Sequence, residues 1–210
     1  LFYFEKNMLG KSDAAVARAK AMVDDSPNSP IANYLLLSAY LETRQSEAAI
    51  RLIQAKEAAL MSNPQVEKLP IWYYSRAKVH FFRLEYEACI AQMDKFLGIY
   101  HGRTLYADAL YKKAMSLVLS GRYEEARPVF HRLTQAEGSS FDVDEYALSQ
   151  AAIYLLRPPT DIEKELYAAR NLFDGGYYLR SIKLLMPIEA RAASCSENDR
   201  CELWYRLGRN

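Results

Sequence analysis

The stretch that decides the fold reads Ala107-Asp108-Ala109-Leu110-Tyr111-Lys112-Lys113-Ala114-Met115-Ser116-Leu117-Val118-Leu119, then Ser120-Gly121-Arg122, then Tyr123-Glu124-Glu125-Ala126-Arg127-Pro128-Val129-Phe130-His131-Arg132-Leu133. On either side of Ser120-Gly121-Arg122 small and apolar residues return at three- and four-residue steps. Leu110, Ala114, Leu117 and Val118 do so before it, and Ala126, Phe130 and Leu133 after it. That spacing marks one face of a helix, and strand-type alternation is absent. A glycine between two such segments supplies the positive φ that ends a helix, so the stretch predicts two helices folded back on each other. Ala126 sits early in the second helix. Its short side chain lets the helices approach to about 8–10 Å, where a larger residue would wedge them apart.

The phrase around Ala126 recurs along the chain, as Ser12-Asp13-Ala14-Ala15-Val16, Ser46-Glu47-Ala48-Ala49-Ile50, Tyr86-Glu87-Ala88-Cys89-Ile90 and Tyr178-Leu179-Arg180-Ser181-Ile182. The small residues Ala15, Ala49, Cys89, Ala126 and Ser181 are separated by 34, 40, 37 and 55 positions. A period of this size signals stacked helical hairpins. Loops such as Ser62-Asn63-Pro64-Gln65 and the one around Tyr100-His101-Gly102 lengthen the middle intervals. Leu9-Gly10-Lys11 and Asp174-Gly175-Gly176-Tyr177 repeat the glycine turn before the first and last phrases. The longest interval holds an additional helical candidate, Asp142 to Leu156, stopped by Pro158-Pro159. It is either an insertion or the hairpin partner of Asp161 to Phe173. We favour the insertion, because Arg170 to Gly176 runs into the Tyr178 phrase as the other first helices run into theirs.

Three further matches carry a family resemblance. Trp204, Leu207 and Gly208 fit W-x2-L-G, Ala126 with Phe130 fits A-x3-F, and Pro27 follows Ala15 at the place of a closing proline. The chain thereby resembles the tetratricopeptide repeat family, with degenerate repeats. Asn33 and Leu37, Tyr73 and Ala77, and Leu110 and Ala114 stand where the family has Trp and Gly. The resemblance implies an all-α fold, a right-handed superhelix (α-solenoid) of stacked antiparallel helix hairpins. Tetratricopeptide-like repeats would occupy 1–140, an inserted helix or irregular repeat 141–160, and further repeats 161–210, the last one truncated.

The chain has 210 residues, half of them hydrophobic, a quarter charged and 12% aromatic, as in ordinary globular proteins. With 27 Lys and Arg against 26 Asp and Glu, the formal charge of +1 gives no field to gather nucleic acid. No apolar stretch approaches the roughly 18 residues of a membrane span, so no membrane insertion is expected. His80, His101 and His131 fall in different repeats, and His80 stands where the family packs an aromatic residue. No H-E-x-x-H, G-x-S-x-G, C-x-x-C or phosphate-binding glycine loop occurs. A non-enzymatic protein without metal or cofactor is the expectation. Cys195 and Cys201 could form a disulfide across a polar loop or stay separate thiols, and Cys89 fills a packing position.

In this family the first helix of each hairpin lines the concave face. Counting from Pro30, Pro70, Ala107, Ile162 and Cys201, the fifth position reads Tyr34, Tyr74, Tyr111, Leu166 and Tyr205. Lys78, Arg170 and Arg209 occupy the ninth, and Lys112 and Arg206 the sixth. The candidate binding residues are therefore Tyr34, Tyr74, Lys78, Tyr111, Lys112, Arg170 and Tyr205. Either the tyrosines recognise a partner and the cations assist, or the tyrosines fill gaps between repeats and the cations face water. A protein or peptide partner with acidic and aromatic or apolar side chains fits such a groove. Tyr34, Ser38 and Met115 replace members of the set with which relatives hold chaperone tails, which disfavours that role. The function expected is an interaction scaffold; the alternative is a regulatory or sensor domain that takes a short peptide or small molecule. Both ends, Leu1-Phe2-Tyr3-Phe4 and Leu203 to Gly208, look cut, which leaves the compartment open and makes a dimer through the last helix conceivable.

Overall fold

The computed structural model describes residues 12–62, 66, 69–102, 105–135 and 145–210. Among them it holds eleven α-helices and no strand. They are α1 (Ser12–Asp25), α2 (Pro30–Glu42), α3 (Ser46–Met61), α4 (Pro70–Phe82), α5 (Tyr86–Ile99), α6 (Tyr106–Leu119), α7 (Tyr123–Gln135), α8 (Glu145–Leu156), α9 (Asp161–Asp174), α10 (Tyr178–Glu189) and α11 (Glu197–Arg209). A short 3-10 turn, Ala192–Ser194, precedes α11. The Leu1 to Phe4 run, the Gly10 turn and the stretch before Glu145 lie outside the described residues.

The small-residue phrase opens every second helix. Ala15, Ala49, Cys89, Ala126 and Ser181 are each the fourth residue of α1, α3, α5, α7 and α10, and none is more than 2% exposed. Ser181, the one polar member, returns its hydroxyl to the Ala169 carbonyl of α9 at 2.8 Å, so no donor is lost in the contact. Burial pushes the Cys89 thiol up to about 12, which fits a packing residue and not a nucleophile.

One turn geometry joins α2 to α3, α4 to α5, α6 to α7 and α9 to α10. In each, the amide of the third residue past the helix donates to the carbonyl five positions back: Gln45 to Tyr40, Glu85 to His80, Arg122 to Leu117 and Tyr177 to Leu172, at 2.8–2.9 Å. The preceding residue donates to Leu41, Phe81, Val118 or Phe173. This pair of bonds satisfies the last helical carbonyls and demands a left-handed residue between them. Gly121 and Gly176 meet the demand freely, with φ of 81° and 84°, whereas Arg44 and Leu84 meet it at 57° and 65° with side chains.

α2, α4 and α6 each pack on their hairpin partner and on the preceding second helix, so α1 to α8 form a continuous run of neighbours. α8 packs on α7 and α6, and α9 pairs with α10. α9 then departs from simple stacking by returning to α4, far back in the chain. The glycine turn after α9 seats on the turns after α2 and α4. The Ser46 amide donates to the Gly175 carbonyl at 3.3 Å, and the Arg83 guanidinium donates to the Tyr177 hydroxyl at 3.2 Å. The Arg44 guanidinium lies 4.4 Å from the Phe173 ring centre. A side chain at Gly176 would meet the Arg44 carbonyl oxygen at 1.8 Å, so glycine is needed there for close approach as well as for φ.

Three apolar clusters hold these elements: one over α1 to α4, a central one from α4 to α9 that includes Phe96, Phe130 and Met93, and one joining α9, α10 and α11. Asn33, in a position the family gives to Trp, is fully buried and donates to the Pro27 and Ser29 carbonyls at 3.0 and 2.8 Å. In α11 the packing is done by Leu203, fully buried, with Leu207 against the same cluster. Trp204 is 51% exposed, and a side chain at Gly208 would meet nothing. Cys195 is buried and Cys201 exposed, and both are free.

Candidate functional site

Two adjoining pockets follow the first helices. One, of about 180 Å³, is lined by Tyr34, Ser38 and Glu42 of α2, Tyr74, Ser75 and Lys78 of α4, and Leu105 before α6. The other, of about 200 Å³, is lined by Lys78, Phe81 and Phe82 of α4, by Asp108, Tyr111 and Lys112 of α6, by Tyr146 of α8, and by Tyr167, Arg170, Asn171 and Asp174 of α9. Lys78 belongs to both, so they form one groove with a lysine at the junction. The helical repeat explains the alignment: Tyr74 and Lys78, and likewise Asp108 and Lys112, stand four residues apart on one face.

The second pocket is a charged seam. The Tyr74 hydroxyl donates to Asp108 Oδ2 at 2.5 Å, Lys112 bonds Oδ1 of the same carboxylate, and Lys78 pairs with Glu42 at 3.9 Å. Burial opposes ionisation of Asp108, but the Lys112 and Lys78 charges and the hydrogen bonds from Lys112 and Tyr74 outweigh it and hold its carboxyl below the ordinary range. Burial, then the Asp108 charge, raises the Tyr74 phenol well above its usual value. Arg170 stacks 4.2 Å from the Tyr146 ring centre and approaches Asp174 at 3.7 Å. The side chains of Lys112, Lys78 and Arg170 are only 12%, 19% and 25% exposed, so their stems are packed and their charges are fixed in place.

Two donors in this pocket stand out. Asn171 is 2% exposed, and its Nδ2 has no hydrogen-bond partner. The Tyr111 hydroxyl is buried and its polar interactions are with Tyr167, Tyr146 and Arg170, none of them a hydrogen bond of good geometry. Burial keeps the Tyr111 phenol protonated, well above its usual value. Orphaned buried donors are uncommon, because each forfeits a bond it had in water. What the Asn171 amide lacks is an acceptor.

Of the residues singled out from sequence, Tyr34, Tyr74 and Lys78 line the first pocket, and Lys78, Tyr111, Lys112 and Arg170 the second. Tyr205 lines neither; it is 51% exposed on α11, beside Arg206 and Arg209. Leu166, on α9, is buried in the cluster that joins α9 to α10 and α11. Asp108, Tyr146, Tyr167 and Asn171 are site residues that column counting missed. The double glycine at Gly175-Gly176 was the available signal that α9 approaches another backbone closely. Compared with family models, curated proteins and solved structures, the chain matches none.

Chemistry of other kinds finds little to work with. His80 is half-buried, its Nδ1 2.7 Å from Glu85 Oε2, while His101 and His131 are exposed and separate. Among the described residues no group of three His, Cys, Asp or Glu side chains could hold a metal ion, and no helix is long and apolar enough to cross a membrane.

Proposed function

We propose that the chain is a non-enzymatic interaction module of tetratricopeptide type, a right-handed superhelix of stacked hairpins whose concave face receives an extended protein segment. An acidic side chain of the segment enters the pocket of Lys78, Lys112 and Arg170, and an apolar or aromatic one rests against Tyr34 and Tyr74. The observation that carries this reading is the unpartnered Asn171 donor in a pocket that also presents Lys78, Lys112 and Arg170, cations already held in place by Glu42, Asp108 and Asp174. Each pocket has the volume of one or two side chains, which suits recognition of a segment residue by residue.

The same small volumes favour, as the second reading, a sensor domain for a short peptide or small anion. A randomised peptide library displayed against the protein and against Lys78→Ala separates the possibilities. The scaffold reading expects enrichment of Asp or Glu beside an aromatic residue, weakened roughly tenfold by Lys78→Ala. Failure to enrich any sequence above background overturns it in favour of the sensor. Equal enrichment by both proteins moves binding to another face.

A further inference from the structure

A separate cavity of about 260 Å³ lies between α8, α9 and α11. It shares Tyr146 and Tyr167 with the groove, but its own chemistry is opposite in sign. The lining carries three tyrosines, Tyr146, Tyr154 and Tyr167, and three carboxylates, Glu163, Asp199 and Glu202, against the single cation Arg157.

The three carboxylates are not equivalent. Glu163 is held by Arg157 through two bonds of 2.7 and 2.6 Å and by the Thr160 amide at 2.7 Å, and Glu202 accepts from Arg206 at 2.7 Å. Asp199, only 9% exposed, makes no direct ion pair among the described residues; the cation it feels, Arg157, is the one Glu163 already binds. The Asp199 Oδ2 accepts the Ser196 hydroxyl at 2.6 Å. A place in the first turn of α11 gives it the favourable end of the helix dipole, which supports the charge without neutralising it. A buried carboxylate that shares its counter-charge with a second acid is under-compensated, and it stands here at an open cavity lined by three tyrosines, side chains of a kind that attract cations.

We propose that this cavity binds a small organic cation, an alkylammonium group seated among Tyr146, Tyr154 and Tyr167 with its charge opposite Asp199. An anion is repelled by the surplus of carboxylates. An inorganic ion finds no chelating set, since no three acidic, His or Cys side chains among the described residues come together for one. The volume limits the ligand to a few heavy atoms beyond the ammonium, which a free amine or the end of a lysine side chain meets equally. The inference is independent of the peptide groove, because Asp199, Glu163 and Tyr154 lie outside both groove pockets.

Calorimetric titration of the whole chain with choline, with N-acetyl-lysine amide, and with the neutral choline isostere 3,3-dimethylbutan-1-ol tests it. The expected result is millimolar or tighter binding of at least one ammonium compound, none of the alcohol, and a roughly tenfold loss in Asp199→Asn, which keeps the side-chain shape and the Ser196 bond. Choline alone assigns a free amine, and N-acetyl-lysine amide alone assigns a protein side chain. Lys78→Ala should leave the titration unchanged, which separates this site from the groove. The proposal is overturned if neither ammonium compound binds, if the alcohol binds as well as choline, or if folded Asp199→Asn binds like the original. Should Asp199→Asn fail to fold, the contrast between choline and the alcohol on the unaltered chain still decides.

Discussion

Gly121 and Gly176 share a left-handed φ, and they differ in what a side chain would meet: open space at Gly121, the Arg44 carbonyl at 1.8 Å at Gly176. Gly121→Ala should cost about 1–2 kcal/mol, the strain of a left-handed alanine alone. Gly176→Ala should cost clearly more, because the α9 turn must also lift from the turn after α2. Urea unfolding of the pair checks this, and equal losses would contradict the docking of the turns. At this scale the sequence was most readable. A column of small residues needs no tertiary knowledge, and the structure buries all five members. The turns were half readable: glycine announced two of them, while Arg44 and Leu84 adopt the same conformation with residue types that give no such sign.

At the scale of the element, α9 carries the fold's least expected feature. Thr160 accepts from the Glu163 amide at 3.1 Å while Glu163 accepts from the Thr160 amide, a complete capping box at the helix start. Thr160→Ala should cost about 1 kcal/mol in thermal or chemical unfolding. Hydrogen bonds from Arg157, opposed by burial and aided by the Thr160 amide, hold the Glu163 carboxyl below its ordinary range. A carboxyl lowered by folding contributes stability that is present above its unfolded value, near pH 4.3, and is lost as pH falls through the folded value. Glu163→Gln should therefore flatten the stability curve on the acid side of that value and leave its neutral slope unchanged. A curve parallel to that of the original protein would remove Glu163 from the linkage. The helical character of α8 and α9 was legible in their spacing. The pairing of α9 with α10 was legible too, because Arg170 to Gly176 runs into the Tyr178 phrase; the return of α9 to α4 was not, because it depends on the path of the chain in space, which no local periodicity encodes.

Over the whole molecule, the return of α9 to α4 walls the second groove pocket, and Tyr167 is part of that wall. Its ring meets Phe81 and Tyr111 edge-on, each with centres 6.3 Å apart. Tyr167→Ala should cost about 3–5 kcal/mol as a large-to-small change in the core, and should loosen α9 from α4 and α6. Hydrogen exchange at the Gly175 turn reads that loosening directly, and unchanged protection there would place the closure elsewhere. The residues that column counting chose on α2, α4 and α6 line the two pockets because successive first helices repeat one geometry. Column counting placed Tyr205 with them, although α11 lies beyond the fold-back and belongs to another cluster. It could not supply Asp108, Tyr146, Tyr167 or Asn171, whose roles arise only where α8 and α9 meet the earlier helices.

The central claim is that the Tyr34 to Arg170 groove recognises an acidic segment. Its most direct test is fluorescence anisotropy of a labelled peptide with an acidic residue next to an aromatic one, titrated with the original chain, Lys78→Ala and Tyr205→Ala. The account predicts a roughly tenfold weaker complex for Lys78→Ala and an unchanged one for Tyr205→Ala. An unchanged Lys78→Ala, or a loss confined to Tyr205→Ala, would contradict it.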